Sequence, residues 1–227
     1  MLREALGYPL RGDHAVETLL VGGLCHLLAA FVPVVPLLPV VGYLVCALDD
    51  RARSSRPDLS ETTPPTFHDF RGILRRGLGG SLIVVAYLAV PTVVLVVTLG
   101  GTLSQSLGSV PGVGLSLGFY TASTVTLLVA VLFAYLLPAG LSAYAVGESL
   151  RSAFDPSAVR SVATDARYFV TWGVAVVVLS LAGVLFAPLN AVGAGFFLAF
   201  YAEVVAVGLW GRGVVRLGGD DSSPHER

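Results

Sequence analysis

The apolar residues of this chain fall in long runs, and the charged residues fall between them. The runs span residues 16–48, 78–99, 115–146, 168–187 and 191–211. A helix that crosses a lipid bilayer needs about 20 consecutive apolar residues, and every run reaches that length. The pattern therefore predicts an all-α, polytopic membrane helix bundle.

The first run is too long for one span and contains three prolines, in FVPVVPLLPVVGYLV. As a single helix it would measure about 50 Å, against a hydrocarbon core of about 30 Å. Proline removes a backbone donor and pushes the preceding residue out of the helical region. We therefore expect two helices, about 14–32 and 35–48, with Pro33 and Pro36 in the turn between them. One kinked helix is the alternative, and so is a re-entrant pair that stops short of the far surface.

The arginines divide the connections into two kinds. All fourteen basic residues are arginines, and all lie in segments 1–15, 49–77, 147–167 and 212–227. Segments 100–114 and 188–190 carry no charge. Because arginine-bearing loops stay in the cytoplasm, the pattern predicts about six transmembrane helices in three hairpins, with both termini cytoplasmic. The remaining helices are expected at about 79–99, 116–146, 168–187 and 191–211.

These helices form one integral membrane domain over residues 1–217, located in the cell membrane. Residues 49–77 are expected to form a cytoplasmic loop, and residues 218–227 a disordered tail. Composition supports this organisation, because 55% of the residues are hydrophobic and only 13% are charged, against about 25% in a soluble domain. The net charge of −1 gives no reason to expect a nucleic-acid partner.

Each hairpin has a short amphipathic segment before it. In TFHDFRGILRRGL, residues 66–78, the apolar residues share one helical face, while Arg71, Arg75 and Arg76 lie away from it. Thr66 and Asp69 resemble a capping box, and Asp155 before Pro156 is a good helix start. Basic amphipathic helices lie in the headgroup plane, so we expect interfacial lead-in helices. Solvated linkers with a helical turn are the alternative.

Glu203 and His26 are the candidate binding residues. Glu203 lies nine residues before Arg212, about 13 Å along a helix, and a carboxylate at that depth is a functional-site hypothesis by default. His26 lies about twelve residues into the first helix, at a similar depth. We therefore predict a contact between the two side chains, either as a structural hydrogen bond or in the wall of a pathway.

No other constellation points to chemistry. Cys25 and Cys46 could lie at equal depth in the first hairpin, but with His26 they lack the spacing and the fourth donor of a zinc site, so we expect no metal and no cofactor. No serine–histidine–aspartate, HExxH or paired-carboxylate arrangement is present, so we do not expect an enzyme. Small residues at helical spacing, such as Gly183 with Ala187, predict close helix packing.

Several stretches carry a family resemblance. They are ALGYPL, VGYLV, PDLSETTPPTFHDFRGILRRGL, LPAGLSAYAVGESLRSAFD and GLWGRG. With these landmarks the chain resembles an archaeal, mainly haloarchaeal, family of multi-pass membrane proteins that is known as a domain of unknown function. The resemblance implies a place in the cell membrane and supplies no catalytic or binding residues.

Two functions remain in view. The first is a non-enzymatic accessory or scaffold module in the lipid bilayer, working with a membrane-protein partner or a second copy of the chain. The second is a small transporter or channel in which Glu203 and His26 line a pathway. A transporter should show a polar cavity that reaches the middle of the membrane with Glu203 in its wall, whereas a scaffold should show a dry, packed bundle.

Overall fold

A computed structural model describes residues 2–53, 62–106 and 113–214. Within these residues the chain forms helices and no strand. The α-helices are α1 (Leu2–Gly7), α2 (Ala15–Ala29), α3 (Leu37–Arg53), α4 (Phe70–Ser106), α5 (Val113–Gly147), α6 (Pro156–Ala163), α7 (Ala166–Phe186) and α8 (Ala194–Val214). The predicted tail 218–227 lies outside the described residues, as do residues 54–61 of the predicted loop.

Four helical stretches are long and apolar enough to cross a membrane. They are Phe70–Thr98, Gly118–Gly147, Ala166–Val192 and Ala194–Val214. Helix α2 is apolar but shorter. The prediction of an all-α membrane helix bundle is therefore confirmed, and the count of six spanning helices stays a prediction.

The long first run contains two helices, α2 and α3, separated by residues 30–36. Pro33 and Pro36 lie in this connection, where they interrupt no helical hydrogen bond. Val34 has a positive φ of 75°, a left-handed conformation that is costly for a β-branched residue. The chain reverses here because of the prolines and this one residue.

The predicted lead-in segments before α4 and α7 have different structures. Helix α4 begins at Phe70, because Asp69 Oδ1 caps it by accepting a hydrogen bond from the Gly72 amide at 3.0 Å. No separate interfacial helix precedes it within residues 62–69. The start expected at Thr66 is therefore wrong. Before α7, by contrast, α6 is a separate helix, and Asp155 Oδ1 caps it by accepting from the Ser157 amide at 2.9 Å.

The helix ends lie at two faces of the bundle. At the basal end, α3, α5 and α8 end while α2, α4 and α7 begin. Arg53 and Arg76 make contacts between the ends of α3, α4 and α5, and Arg212 joins α8 to α1. The opposite face, here called the hairpin end, carries the turn at 30–36 and the 3-10 segment Ala187–Val192. Every described arginine belongs to a basal connection or helix end.

Helix α8 lies at the centre of the bundle. Its residues from Ala202 to Leu209 are buried, with Glu203 the one exception. Helix α2 approaches α8 closely because Gly22 and Gly23 lack side chains: a Cβ on either would lie within 2.5 Å of a Phe200 or Phe197 ring atom. This close approach sets the distance between α2 and Glu203, the only charged residue between Ala202 and Leu209 of α8.

Candidate functional site

His26 and Glu203 meet between α2 and α8. His26 Nε2 lies 3.1 Å from Glu203 Oε1, and the two side chains are 14% and 34% exposed. The other ring nitrogen, Nδ1, lies 3.0 Å from the carbonyl oxygen of Gly22 one turn earlier. The structure thus brings together the two residues that the sequence singled out by their depth.

The hydrogen bonds determine how many protons the pair holds. A carbonyl oxygen can only accept, so His26 Nδ1 must carry a hydrogen and donate it to Gly22. The short contact between Nε2 and Oε1 then requires one more proton, either on the imidazole or on the carboxyl group. In both forms the pair is electrically neutral, and losing this proton would leave two acceptors facing each other.

The second carboxyl oxygen of Glu203 has a different environment. Oε2 is buried and has no hydrogen-bond partner among the described residues. An unsatisfied oxygen of this kind costs about 1–3 kcal/mol when it stays neutral, and more when it is charged. Such an oxygen calls for a bound water, an ion or a functional role.

A cavity of about 220 Å³ lies between α7 and α8, with Glu203 in its wall. Its other walls are mostly apolar, and Asn190 contributes an amide group from the 3-10 segment near the hairpin end. The cavity thus extends from the hairpin end to the depth of the His26–Glu203 pair. It therefore brings Asn190 and the carboxyl group of Glu203 into the wall of one cavity.

Small side chains create this space. Gly183, Ala187, Ala199 and Ala202 line it, and a Cβ added to Gly183 would meet no atom within 4 Å. Close packing at Gly183, expected from the sequence, is therefore wrong, because this glycine borders open space instead of a neighbouring helix. Gly195, however, is tightly packed against Asn190 and the carbonyl of Phe186.

The N-terminal residues cover the basal half of α8. Glu4 pairs with Arg212, and the Tyr201 hydroxyl donates to the carbonyl of Leu6. Tyr8 is fully buried and packs against Gly208, and this burial raises the pKa of its hydroxyl. Along α8, Gly208 and Arg212 lie on the basal side of Glu203, whereas Tyr201 lies two residues toward the hairpin end.

The predicted interfacial arginines divide into two groups. Arg71 and Arg75 are exposed, as a headgroup-facing role requires. Arg76 is half-buried and pairs with Asp49, with Nη1 at 2.9 Å from Oδ2. Its Nη2 also lies 3.6 Å from Glu148 Oε1. Arg76 therefore joins α3, α4 and α5 at the basal end.

Asp49 is the centre of this basal network. Its side chain is only 7% exposed, and Oδ1 accepts from Arg53 Nε at 2.6 Å. That hydrogen bond, together with the charge of Asp49, raises the pKa of Arg53. Glu148 reaches the network because it adopts a left-handed φ of 51° directly after α5. Sequence reasoning missed Asp49 and Glu148 because both fall in stretches predicted to be loops.

The two cysteines are free and half-buried. Cys46 Sγ accepts a weak contact from Arg76 Nη1 at 3.7 Å, whereas Cys25 precedes His26 on α2. Neither belongs to the one cluster of potential metal ligands found among the described residues, which contains His14, Glu17 and His68. His14 and Glu17 lie more than fifty residues before His68 in the sequence, so no local spacing indicates the cluster.

Comparison with known proteins gives a family and no function. No curated protein and no solved structure matches the chain. The family model described as "Protein of unknown function (DUF4013)" matches residues 25–191. The match contains His26, Arg71, Arg75 and Arg76, and it ends before α8. The archaeal origin of the chain stays a prediction. Because this match covers well over half of the chain, the chain belongs to the DUF4013 family of proteins of unknown function.

Proposed function

We propose that this chain is a small, non-enzymatic membrane transport protein, with His26 and Glu203 as its proton- or cation-binding site. One observation carries the proposal: the cavity between α7 and α8 has Glu203 in its wall. A purely structural bundle needs neither a cavity nor a carboxylate there. The position of Glu203 in this wall supports a transporter over the scaffold role, which was the first expectation from the sequence. The mostly apolar lining differs from the polar cavity expected of a transporter.

The chemistry of the site favours positively charged ligands. The pair is neutral when it holds its one proton, so a small cation could replace that proton without leaving an uncompensated charge. Apart from the Asn190 amide and the carboxyl group of Glu203, the described lining residues offer no side-chain donor for an anion, and an ionised Glu203 would repel one. The transported species is accordingly a proton, a monovalent metal ion or a small ammonium ion that exchanges with the proton.

The proposed orientation follows from charge. The basal end carries the described arginines, and arginine-bearing connections face the cytoplasm. The cell membrane is the proposed location, with both termini cytoplasmic and the cavity near Asn190 open to the outside. In this orientation α1 covers the cytoplasmic side of the site.

The proposal is tested by flux into vesicles. Purified chain is reconstituted in liposomes that contain a pH-sensitive dye, and proton entry is driven by an imposed potential. A second series adds Na⁺, K⁺ or methylammonium to vesicles that hold a proton gradient. We expect proton or cation-coupled flux well above that of protein-free vesicles, and its loss in Glu203→Gln, which keeps the shape of the side chain.

A matched control separates the site from general leakage. Thr98 Oγ1 lies 3.0 Å from Thr126 Oγ1, between α4 and α5 and away from the cavity. Thr98→Val should keep the wild-type rate, and His26→Gln should lower it. If the wild-type protein is no faster than empty vesicles in both series, or if Glu203→Gln retains full flux, the chain is not such a transporter.

A second candidate function, an accessory or scaffold module, is favoured by the surface of α4 and α5. Near the hairpin end these two helices leave Val96, Val97 and Leu128 largely exposed, and a groove of about 280 Å³ runs between them. A neighbouring membrane protein or a second copy would bury this groove. Tryptophan at Ala122, in the groove, should then disrupt the complex in mild detergent, whereas Leu181→Trp on the exposed face of α7 should not.

A further inference from the structure

A cluster of three metal-ligand side chains lies at the basal end, far along α2 from His26. His14 and Glu17 belong to the start of α2, and His68 to the segment before α4. One ligand atom from each lies within 4.8 Å of the other two. We infer that these three side chains form a binding site for a divalent transition-metal ion of the zinc class.

The distances suit a metal with short bonds. His14 Nδ1 and Glu17 Oε2 are 3.1 Å apart. Two ligands on a tetrahedral zinc ion, with bonds of about 2.0–2.2 Å, lie about 3.4 Å from each other. The ring of His68 meets that of His14 edge-on, with centroids 4.6 Å apart. A small rotation of exposed side chains brings all three ligand atoms to bonding distance.

The third ligand is held in place from two sides. His68 Nδ1 lies 2.8 Å from Thr66 Oγ1, so Nε2 is the nitrogen left for the metal. Metal-bound histidines commonly use their second nitrogen for a hydrogen bond of this kind, which fixes the orientation of the ring. The neighbouring Phe67 stacks on Tyr43, with ring centroids 4.8 Å apart, and this anchors the segment against α3.

The donor set defines the class of ion. Two imidazoles and one carboxylate suit Zn²⁺, Cu²⁺, Ni²⁺ and Fe²⁺ more than Mg²⁺ or Ca²⁺, which prefer oxygen ligands only. Three protein ligands leave a fourth position for water or another ligand. The bound ion would also join the start of α2 to the segment before α4, which the backbone connects only through the whole of α3.

The test is metal binding by the full chain in detergent, purified with a tag that contains no histidine. Zn²⁺ is titrated in competition with a chromogenic chelator. We expect one high-affinity zinc per chain, and at least a tenfold loss of affinity in His14→Ala, Glu17→Gln and His68→Ala. Thr66→Val should lower the affinity about tenfold, because it removes the bond that orients the ring.

Two controls address unspecific binding. Asp13→Asn removes a neighbouring exposed carboxylate that is not in the cluster, and His225→Ala removes a histidine that lies outside the described residues. Both should bind zinc like the wild type. Independently of any variant, the Cu²⁺ spectrum of the wild-type chain should show two imidazole nitrogens by electron paramagnetic resonance.

Several results would overturn the inference. They are the absence of stoichiometric zinc binding by the wild type, unchanged affinity in both histidine variants, or a Cu²⁺ spectrum with fewer than two imidazoles. The outcome is independent of the transport assay, because none of the three ligands takes part in the His26–Glu203 site.

Discussion

The molecule holds two polar sites that satisfy a buried carboxylate in opposite ways. At the basal end, the Asp49 carboxylate accepts hydrogen bonds from Arg53 at 2.6 Å and from Arg76 at 2.9 Å. In the middle of α8, Glu203 has one hydrogen bond, to a histidine, and one oxygen with no partner among the described residues. The first site is built from permanent charges and the second from one shared proton.

The difference distinguishes a site that holds helices together from a site that can bind and release a proton. Two guanidinium groups keep their charge at any physiological pH, so Asp49 is locked into its network. An imidazole and a carboxyl group can each give up or take a proton, so the charge of the His26–Glu203 pair can change. The basal network therefore acts as a structural joint between α3, α4 and α5, and the central pair is the site able to change state.

The largest expected effect comes from breaking the basal network. Asp49→Asn leaves Arg76 with only its longer contacts, to Glu148 and Cys46. Removing one partner of a buried ion pair costs about 3–5 kcal/mol, and the exposure of both arginines reduces this to about 2–3 kcal/mol. The measurement is the free energy of unfolding in detergent. Asp13→Asn, at an exposed carboxylate, is the control; an equally small loss in both variants would contradict the structural role of Asp49.

A smaller loss is expected when the central pair is broken from the histidine side. His26→Ala leaves Glu203 without any described hydrogen-bond partner, which costs about 1–3 kcal/mol. The same unfolding measurement applies, with the exposed His14→Ala as its control. If His26→Ala were as stable as the wild type, the hydrogen bond between α2 and α8 would contribute nothing to the free energy of unfolding.

A third carboxylate extends the comparison to a site without any ion pair. The Ser157 hydroxyl and amide bond to Asp155 and lower the pKa of that exposed carboxyl group. A lowered pKa in the folded state adds stability above the ordinary pKa, and this stability is lost as the pH falls through the folded value. Hydrogen exchange of the first α6 amides should therefore speed up in acid, beyond the change in intrinsic rate. Asp155→Asn, which cannot titrate, should remove that pH dependence.

The smallest effect on stability is expected for Glu203→Gln. The amide of glutamine can donate to His26 Nε2 with the same geometry as a protonated carboxyl group, so the free energy of unfolding should stay within about 0.5 kcal/mol of the wild type. A loss above about 1 kcal/mol would show that the carboxyl group has a purely structural role. Together with a loss of flux, an unchanged stability would separate function from folding at this residue.

The sequence predicts much of the fold because a bilayer imposes a simple length rule. Hydropathy located the apolar helices, and the prolines between α2 and α3 predicted a break that the structure has at residues 30–36. The contact between His26 and Glu203 was also foreseen, because depth along each helix is a one-dimensional quantity. Equal depth does not determine which helices are neighbours, and the contact also requires α2 to pack against α8 at Gly22 and Gly23.

The other parts of the sites depend on tertiary packing, which periodicity does not contain. Gly183 and Ala187 predict close packing by their size, yet here they border a cavity. Asp49 and Glu148 are unremarkable among other charges until α3, α4 and α5 bring them together. The contribution of His68 to a metal-ligand cluster depends on how the segment before α4 packs against the start of α2.

The unequal helix lengths have a consequence for the surrounding lipid. Helices α2 and α3 have 15 and 17 residues, about 22–26 Å of helix, while α4 has 37 residues, about 55 Å. A hydrocarbon core of about 30 Å cannot match both. If α2 and α3 cross the bilayer, as the sequence predicts, the bilayer has to thin beside the first hairpin, while the second hairpin tilts or extends beyond the core. Such a protein would create a gradient of hydrophobic thickness across its own width and would favour membranes whose lipids tolerate that deformation.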